Sequence, residues 1–278
     1  MNIQGSTRQQ TSAAVWNWRD GASGWYRDEV VVEEPLEIRV NDRALSVTMR
    51  TPGRDEELAA GFLLAERVVS GERDIVSMAR GCSGRAGSNV INVALAPGVH
   101  LDLEHLTRHV VANSSCGLCG SATIDAAARH FPSVRSNARF AASWIASLPD
   151  RMADAQVTFQ RTGGLHAAAL FDERGDMLVL REDIGRHNAV DKVIGHALVK
   201  RWLPLSRHVL VVSGRTSFEI MQKALAANIP VVAAVSAPSS LAIAFAQRSG
   251  QTLVGFVRGD RVNVYTHRRR INCGEGGR

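Results

Sequence analysis

The residues best placed to do chemistry are Cys116 and Cys119, in the run Asn113-Ser-Ser-Cys-Gly-Leu-Cys-Gly-Ser121. A thiolate, not a thiol, is the nucleophile in sulfur chemistry, and it forms where the pKa is lowered. A helix is expected to start near Ser121, so its free N–H groups and positive dipole end would stabilise the charge on Cys116. Gly117 and Gly120 remove bulk beside each sulfur and permit backbone angles that other residues avoid. Such a pair has three uses. It exchanges dithiol for disulfide, with Cys119 resolving a mixed disulfide. It supplies half of a zinc site. Or it carries a persulfide, with Cys116 accepting sulfane sulfur and presenting it onward. A reduced Cys119 could then attack the persulfide and release sulfide, so the loop must hold the sulfurs apart until delivery.

Zinc needs about four ligands. The other cysteines, Cys82 and Cys273, stand singly, and His105 with His109 has only the i, i+4 spacing of a helix surface. No structural metal is expected. The sequence contains no G-x-x-x-x-G-K-[ST], G-x-S-x-G or H-E-x-x-H. Cys116 follows Ser115 where the signature needs proline, and the one His or Cys with Glu two places later, Cys273, stands after the cysteine pair in the C-terminal tail, so the zinc-deaminase signature is missing too.

Polar clusters able to hold an anion lie in the second half. Ser213-Gly-Arg-Thr-Ser217 and Ser236-Ala-Pro-Ser-Ser240 each join a strand pattern to a helix pattern. That edge of an open α/β sheet is where ligands bind, and helix N-termini hold phosphates. Serine is also an ordinary N-cap, which alone would explain the serines but not Arg215. Residues 181–188 (REDIGRHN) put Asp183, His187 and further charges into one short stretch, as a ligand site or a polar network would. The turn Phe256-Val-Arg-Gly-Asp-Arg261 is a plain hairpin, or an aromatic with two guanidinium groups set against a nucleotide.

These groups must be positioned by an α/β framework. Hydrophobic residues make up 45% and aromatics only 5%, which favours close helix-on-sheet packing. Residues 1–28 are polar and read as a flexible tail, with Trp16, Trp18 and Trp25 docking on the body. Residues 29–135 are expected to form a smaller α+β subdomain ending in the cysteine loop and its helix. It would contain strands at 37–40 and 44–50 around Asn41-Asp42, a helix at 55–69, strands at 75–80 and 89–95, and a weaker helix at 103–112. Residues 136–267 are expected to form an α/β domain. Its runs at 209–212, 231–235 and 252–257, separated by helices, require parallel strands with right-handed crossovers. Residues 268–278 read as a mobile basic tail. The net charge of +6 suits a partner or ligand carrying negative charge. No apolar run approaches the length of a membrane span and the first residues lack a secretory pattern, so a cytoplasmic location is expected.

Several runs together resemble one family, the formate dehydrogenase accessory sulfurtransferases, FdhD. They are 33–40 (EEPLEIRV), 50–53 (RTPG), 55–58 (DEEL), 61–64 (GFLL), 114–120 (SSCGLCG), 162–169 (TGGLHAAA), 181–195 (REDIGRHNAVDKVIG), 213–219 (SGRTSFE), 233–240 (AAVSAPSS), 253–256 (LVGF) and 263–266 (NVYT). They occur in the family's order, and only the tails lack a match.

The resemblance implies a sulfur carrier that takes persulfide sulfur from a cysteine desulfurase on Cys116, with Cys119 as an auxiliary thiol. It then passes the sulfur to bis(molybdopterin guanine dinucleotide)-molybdenum, bound as substrate, for formate dehydrogenase. The family's cofactor-binding stretch aligns with Phe256, Val257, Arg258, Gly259, Asp260 and Arg261, where Asp260 is an odd neighbour for a phosphate but could meet a guanine edge. The resemblance also implies a cytidine-deaminase-like C-terminal α/β sandwich with a mixed sheet, and a homodimer; neither nucleic acid nor membrane is an expected partner. Two other classes of function stay open: a non-catalytic escort that binds the cofactor, and a dithiol oxidoreductase.

Overall fold

The structure, a computed structural model, describes residues 9–81, 89–99 and 131–273. Cys82, Cys116 and Cys119, together with the helices expected at 103–112 and after Ser121, lie outside the described residues. The chain opens on a hairpin of β1 (Gln10–Arg19) and β2 (Ala22–Val31), turning at Asp20 and Gly21, both at positive φ. The flexible tail expected over 1–28 is therefore an antiparallel ribbon from residue 10 onward, paired in unbroken register. Its indoles do not dock on the body: Trp16, Trp18 and Trp25 remain 54%, 67% and 75% exposed.

Next comes a four-stranded sheet of β3 (Glu34–Val40), β4 (Arg43–Arg50), β5 (Ile75–Arg80) and β6 (Val90–Leu95), in the order β4-β3-β6-β5. The turn between β3 and β4 places Asn41 and Asp42 at φ 48° and 64°, the left-handed pair that a two-residue hairpin loop demands. Helix α1 (Asp55–Ala65) bears three acids, Asp55, Glu56 and Glu57, in its first turn, where the dipole favours them.

After residue 131, β7 (Phe140–Ala141), α2 (Ala142–Asp154) and α3 (Val157–Thr162) lead into a six-stranded mixed sheet. Its members in chain order are β8 (His166–Phe171), β9 (Met177–Asp183), β10 (Val209–Val212), β11 (Val231–Ala234), β12 (Thr252–Arg258) and β13 (Arg261–Val264). Helices α4 (Arg186–Val199), α5 (Phe218–Ala226) and α6 (Ser240–Ser249) connect them. The sheet order is β13-β12-β11-β10-β8-β9. The three runs read as parallel strands are parallel, β10 to β11 and β11 to β12. They are wholly buried at β10 and β11, which is why they read as unbroken apolar runs.

The expected basic tail is not free from residue 268. β14 (Ile271–Asn272) pairs in parallel with β7, and Arg270 is buried. Its Nε donates to the Ser136 carbonyl at 3.2 Å and its Nη1 to the Gly250 carbonyl at 2.7 Å and Thr252 Oγ1 at 3.1 Å. Gly250 caps α6, so this cation sits where a helix end favours positive charge.

One core joins the two sheets. Leu36, Ile38 and Ile91 of the first share a cluster with Leu58 and Leu63 of α1, Val190 and Ile194 of α4, and Leu210 and Leu253 of the second. The joint is a helix crossing at two glycines. A Cβ on Gly61 would collide with the Asp191 carbonyl, and one on Gly195 with the Glu57 carbonyl. No helix among the described residues is long and apolar enough to cross a membrane.

Candidate functional site

The carboxyl ends of the parallel strands open on one edge of the six-stranded sheet. The expected polar clusters gather there. Ser213 leaves β10 with its Oγ accepting from the Ala167 N–H of β8 at 2.9 Å. Thr216 bridges to Pro238, and its N–H donates to the Ala237 carbonyl at 3.2 Å. The Phe256 N–H donates to the Ser236 carbonyl at 3.2 Å. Thus the loops after β10 and β11 and the end of β12 are tied in a row. Ser239 is an N-cap in fact, its Oγ accepting from Ala242 N–H at 3.1 Å.

At one end of this row stands the turn Phe256 to Arg261. Phe256 has φ 52° and its ring is 37% exposed, at a break in the β12–β13 register. A bulky residue held in the left-handed region is strained, and here it turns an aromatic face outward. Arg258, Asp260 and Arg261 are exposed, and Gly259, at φ 57°, makes the tight turn. Val257 faces inward between these exposed neighbours. Its side chain is fully buried in the second core cluster, so only its backbone could face a ligand.

Towards the other end, the stretch 181–188 divides into two functions. Asp183 is buried and saturated. Its Oδ1 accepts from Gly185 N–H at 2.8 Å and Asn188 Nδ2 at 3.0 Å. Its Oδ2 accepts from Thr51 N–H at 3.2 Å and pairs with Lys192 Nζ at 2.6 Å. Lys192 also donates to the Thr51 carbonyl at 2.9 Å, and Asn188 to the Met49 carbonyl at 2.8 Å. Asp183 therefore rivets the end of β4 to the start of α4 and is not presented to a ligand.

His187 lies within 3.1 Å of Ser217 Oγ and 3.7 Å of a Glu219 carboxylate oxygen, both through the same Nε2. That geometry is not a serine triad, which needs the acid on the opposite ring nitrogen. Burial, reinforced by the charges of Arg186 and Lys223, pushes His187 down to about 4. His166, at the start of β8, is also held below its usual range by burial and then by Arg186 and Arg215. Nothing local marks His166, and Arg186 stands out only as one of the charges in 181–188; the two come together where β8, α4 and the β10–α5 loop meet.

His187 supplies a pH dependence. Unfolded, it takes a proton near 6.5; folded, only near 4. Between those values the unfolded state binds more protons, so stability falls with acidification across that window and is retained above it. Asp191, which burial pushes up to about 6 although Lys223 lies at 2.7 Å, acts in the opposite sense as pH falls below that point. Urea midpoints measured against pH in the wild type and in His187→Gln should differ, the variant losing less stability between about pH 6.5 and pH 4. Identical profiles would refute the assignment.

Two cavities flank the joint between the sheets. A polar one of about 620 Å³ is lined by Arg54, Asp55, Glu56, Glu57, Arg80 and Arg161. Another, of about 390 Å³, lies between β4, α1, α4 and α5, with Val47, Phe62, His187, Asp191, Glu219 and Lys223 on its walls. Among the described residues no group of three or more His, Cys, Asp or Glu could hold a metal ion, and Cys273 is free and exposed.

The FdhD/NarQ family model matches residues 31–272. A sulfur carrier protein FdhD from Streptomyces avermitilis is 55% identical over 261 residues, covering 91% of this chain and 92% of the relative. One from Sulfolobus acidocaldarius is 44% identical over 254 residues, covering 91% and 95%. A crystal structure from Desulfotalea psychrophila, described as that of a formate dehydrogenase accessory protein, superposes with a TM-score of 0.75 at 25% identity, covering 95% of this chain and all of that one. With its motifs in order, its mixed α/β architecture matched by a solved relative and nearly its whole length aligned, this chain belongs to the FdhD/NarQ family.

Proposed function

We propose that the chain is a sulfurtransferase of the cytoplasm that carries sulfane sulfur on Cys116 and delivers it to bis(molybdopterin guanine dinucleotide)-molybdenum, which then enters formate dehydrogenase. The observation that carries this reading is the near full-length match to sulfur carrier proteins named FdhD. The sheet edge supports it: the Phe256 ring and the Arg258 and Arg261 guanidiniums stand at the carboxyl ends of parallel strands, where a nucleotide would lie. A cytidine-deaminase-like classification of residues 136–267 and a homodimer belong to the same reading.

In the loading step the Cys116 thiolate attacks the outer sulfur of a persulfide on a cysteine desulfurase. A new S–S bond forms on Cys116, the donor's S–S bond breaks, and the donor leaves as a thiolate. Release of that sulfur as sulfide requires two electrons. Cys119 can supply them by attacking the Cys116 sulfur, which leaves a Cys116–Cys119 disulfide for a cellular thiol to reduce. The substrate accepts the sulfide as a metal ligand.

Intact-protein mass spectrometry after incubation with a cysteine desulfurase and cysteine should show a gain of one sulfur atom, lost in Cys116→Ala and kept in Cys119→Ala. Cells carrying Cys116→Ala should lack formate dehydrogenase activity while the protein still binds the nucleotide. Surviving activity would identify an escort, and absence of the adduct with equal need for both cysteines a dithiol oxidoreductase; either result overturns the proposal.

A further inference from the structure

We propose that the tryptophan face of the β1–β2 ribbon is a self-association surface, and that its occupant is the same face of a second copy of this chain. The homodimer named above does not extend to this element, because the FdhD/NarQ match starts only at residue 31. The proposal is also independent of the sulfur-carrier reading, which the adduct on Cys116 judges separately.

Register divides the ribbon into two faces. The strands pair with Trp16 opposite Trp25, Trp18 opposite Ser23 and Ala14 opposite Arg27. Successive side chains alternate between faces, and directly opposed residues share one. Trp16, Trp18 and Trp25 therefore lie on a single face, with Ala14 and Arg27 beside them. Every residue on that face, from Ser12 to Trp18 and from Ser23 to Glu29, is exposed. The opposite face carries the half-buried Ala13, Val15, Asp28 and Val30, so it is the one that leans on the body. The base is tied down: Gln9 Nε2 donates to the Pro52 carbonyl at 3.3 Å, and Thr158 Oγ1 to Gln9 Oε1 at 3.1 Å. Ten residues of β1 carry the tip roughly 30 Å along from that base. The indoles thus point away from their own body.

A two-stranded ribbon alone is marginal in water, and a contiguous apolar face on a protein surface marks an interaction site. Two observations select a second copy as the occupant. The first is area. With each indole more than half exposed, one ribbon presents roughly 300–500 Å² of uncovered tryptophan surface. Two such faces laid together remove roughly 600–1,000 Å² of indole alone. The intervening Ala14, Ser23 and Arg27 bring the contact to the roughly 1,000 Å² that a specific interface needs. The second is charge. The chain carries +6, which opposes the approach of two copies. The ribbon holds Arg19 and Arg27 against Asp20, Asp28 and Glu29, one charge on the acidic side, so two copies meet there without that repulsion. The contact is isologous, each copy offering the same surface. Arg27 adds a guanidinium that can lie over a facing indole.

Analytical ultracentrifugation of the full chain, with tryptophan emission recorded on the same samples, tests this. The triple variant Trp16→Thr, Trp18→Thr, Trp25→Thr should have half the wild-type mass at the same micromolar concentration. Its thermal midpoint should be unchanged, since the indoles face away from the body. Tyr26→Thr, on the opposite face, should keep the wild-type mass. Wild-type emission should lie at shorter wavelength in the associated state and move to longer wavelength on dilution, as the indoles meet water. Molar salt should leave the association intact, because its contacts are apolar. Equal masses for the wild type and the triple variant would overturn the proposal, as would a Tyr26→Thr variant that also halves the mass. Emission that shifts only when phosphatidylcholine vesicles are added would assign the face to a lipid surface and overturn it too.

Discussion

Replacing Asp183 with alanine is expected to destabilise the protein by about 3–5 kcal/mol, the cost of breaking a buried ion pair and stranding its partner. The carboxylate is fully buried and holds two backbone N–H groups, one amide and the Lys192 ammonium, itself 1% exposed. Without it, Lys192 keeps, among the described residues, only the Thr51 carbonyl as an acceptor. Asp183→Asn should lose less, because an amide oxygen can still accept from Gly185 or Thr51. Urea denaturation of the purified variants is the measurement. An Asp183→Ala midpoint equal to that of the wild type would show that Asp183 is not the rivet described. The double variant Asp183→Ala with Lys192→Met should recover part of the loss, since it removes the uncompensated charge as well.

Gly195→Ala is expected to cost about 3 kcal/mol or more, at or above the top of the usual range for overpacking. Ordinary overpacking displaces side chains, which can rotate away. Here the added methyl would strike the Glu57 carbonyl, and the equivalent change at Gly61 would strike that of Asp191. Relief requires α1 and α4 to separate, and these helices carry Leu58, Leu63, Val190 and Ile194 into the common core. Separation would also pull Glu57 from Arg181, which donates to it at 2.5 Å and 2.8 Å, and from His196 at 2.9 Å. Thermal unfolding of Gly195→Ala and Gly61→Ala checks this. A change below about 1 kcal/mol in both would mean that the helices do not cross this closely.

How much of this was legible beforehand depended on whether burial left a pattern. The turn at Asn41 and Asp42 was readable because alternating residues in β4 frame two residues able to take positive φ. β10 and β11 were readable because both faces are covered. The β1–β2 ribbon was missed although Asp20-Gly21 is a turn signal, because most of its side chains stay exposed and so bear no amphipathic stripe. The end of the chain was missed because Arg268-Arg-Arg270 reads as solvent-facing, and only the Ser136 and Gly250 carbonyls explain a buried Arg270. The site was legible as a set of polar runs. Its division of labour was not: Asp183, a rivet, and His187, set against Ser217 and Glu219, are four residues apart with nothing local to tell them apart.

The helix crossing at Gly61 and Gly195 bears on how the protein is made. α1 leaves the ribosome well before its packing partner, since α4 begins at Arg186. At ordinary rates of synthesis that interval is roughly 6–26 seconds. Throughout it, the face of α1 that crosses α4 lacks that partner, so the nascent chain should bind chaperones that clasp apolar segments until α4 emerges. Arrested chains ending before Arg186 should stay protease-sensitive, and those extending past Val199 should become resistant at the first sheet.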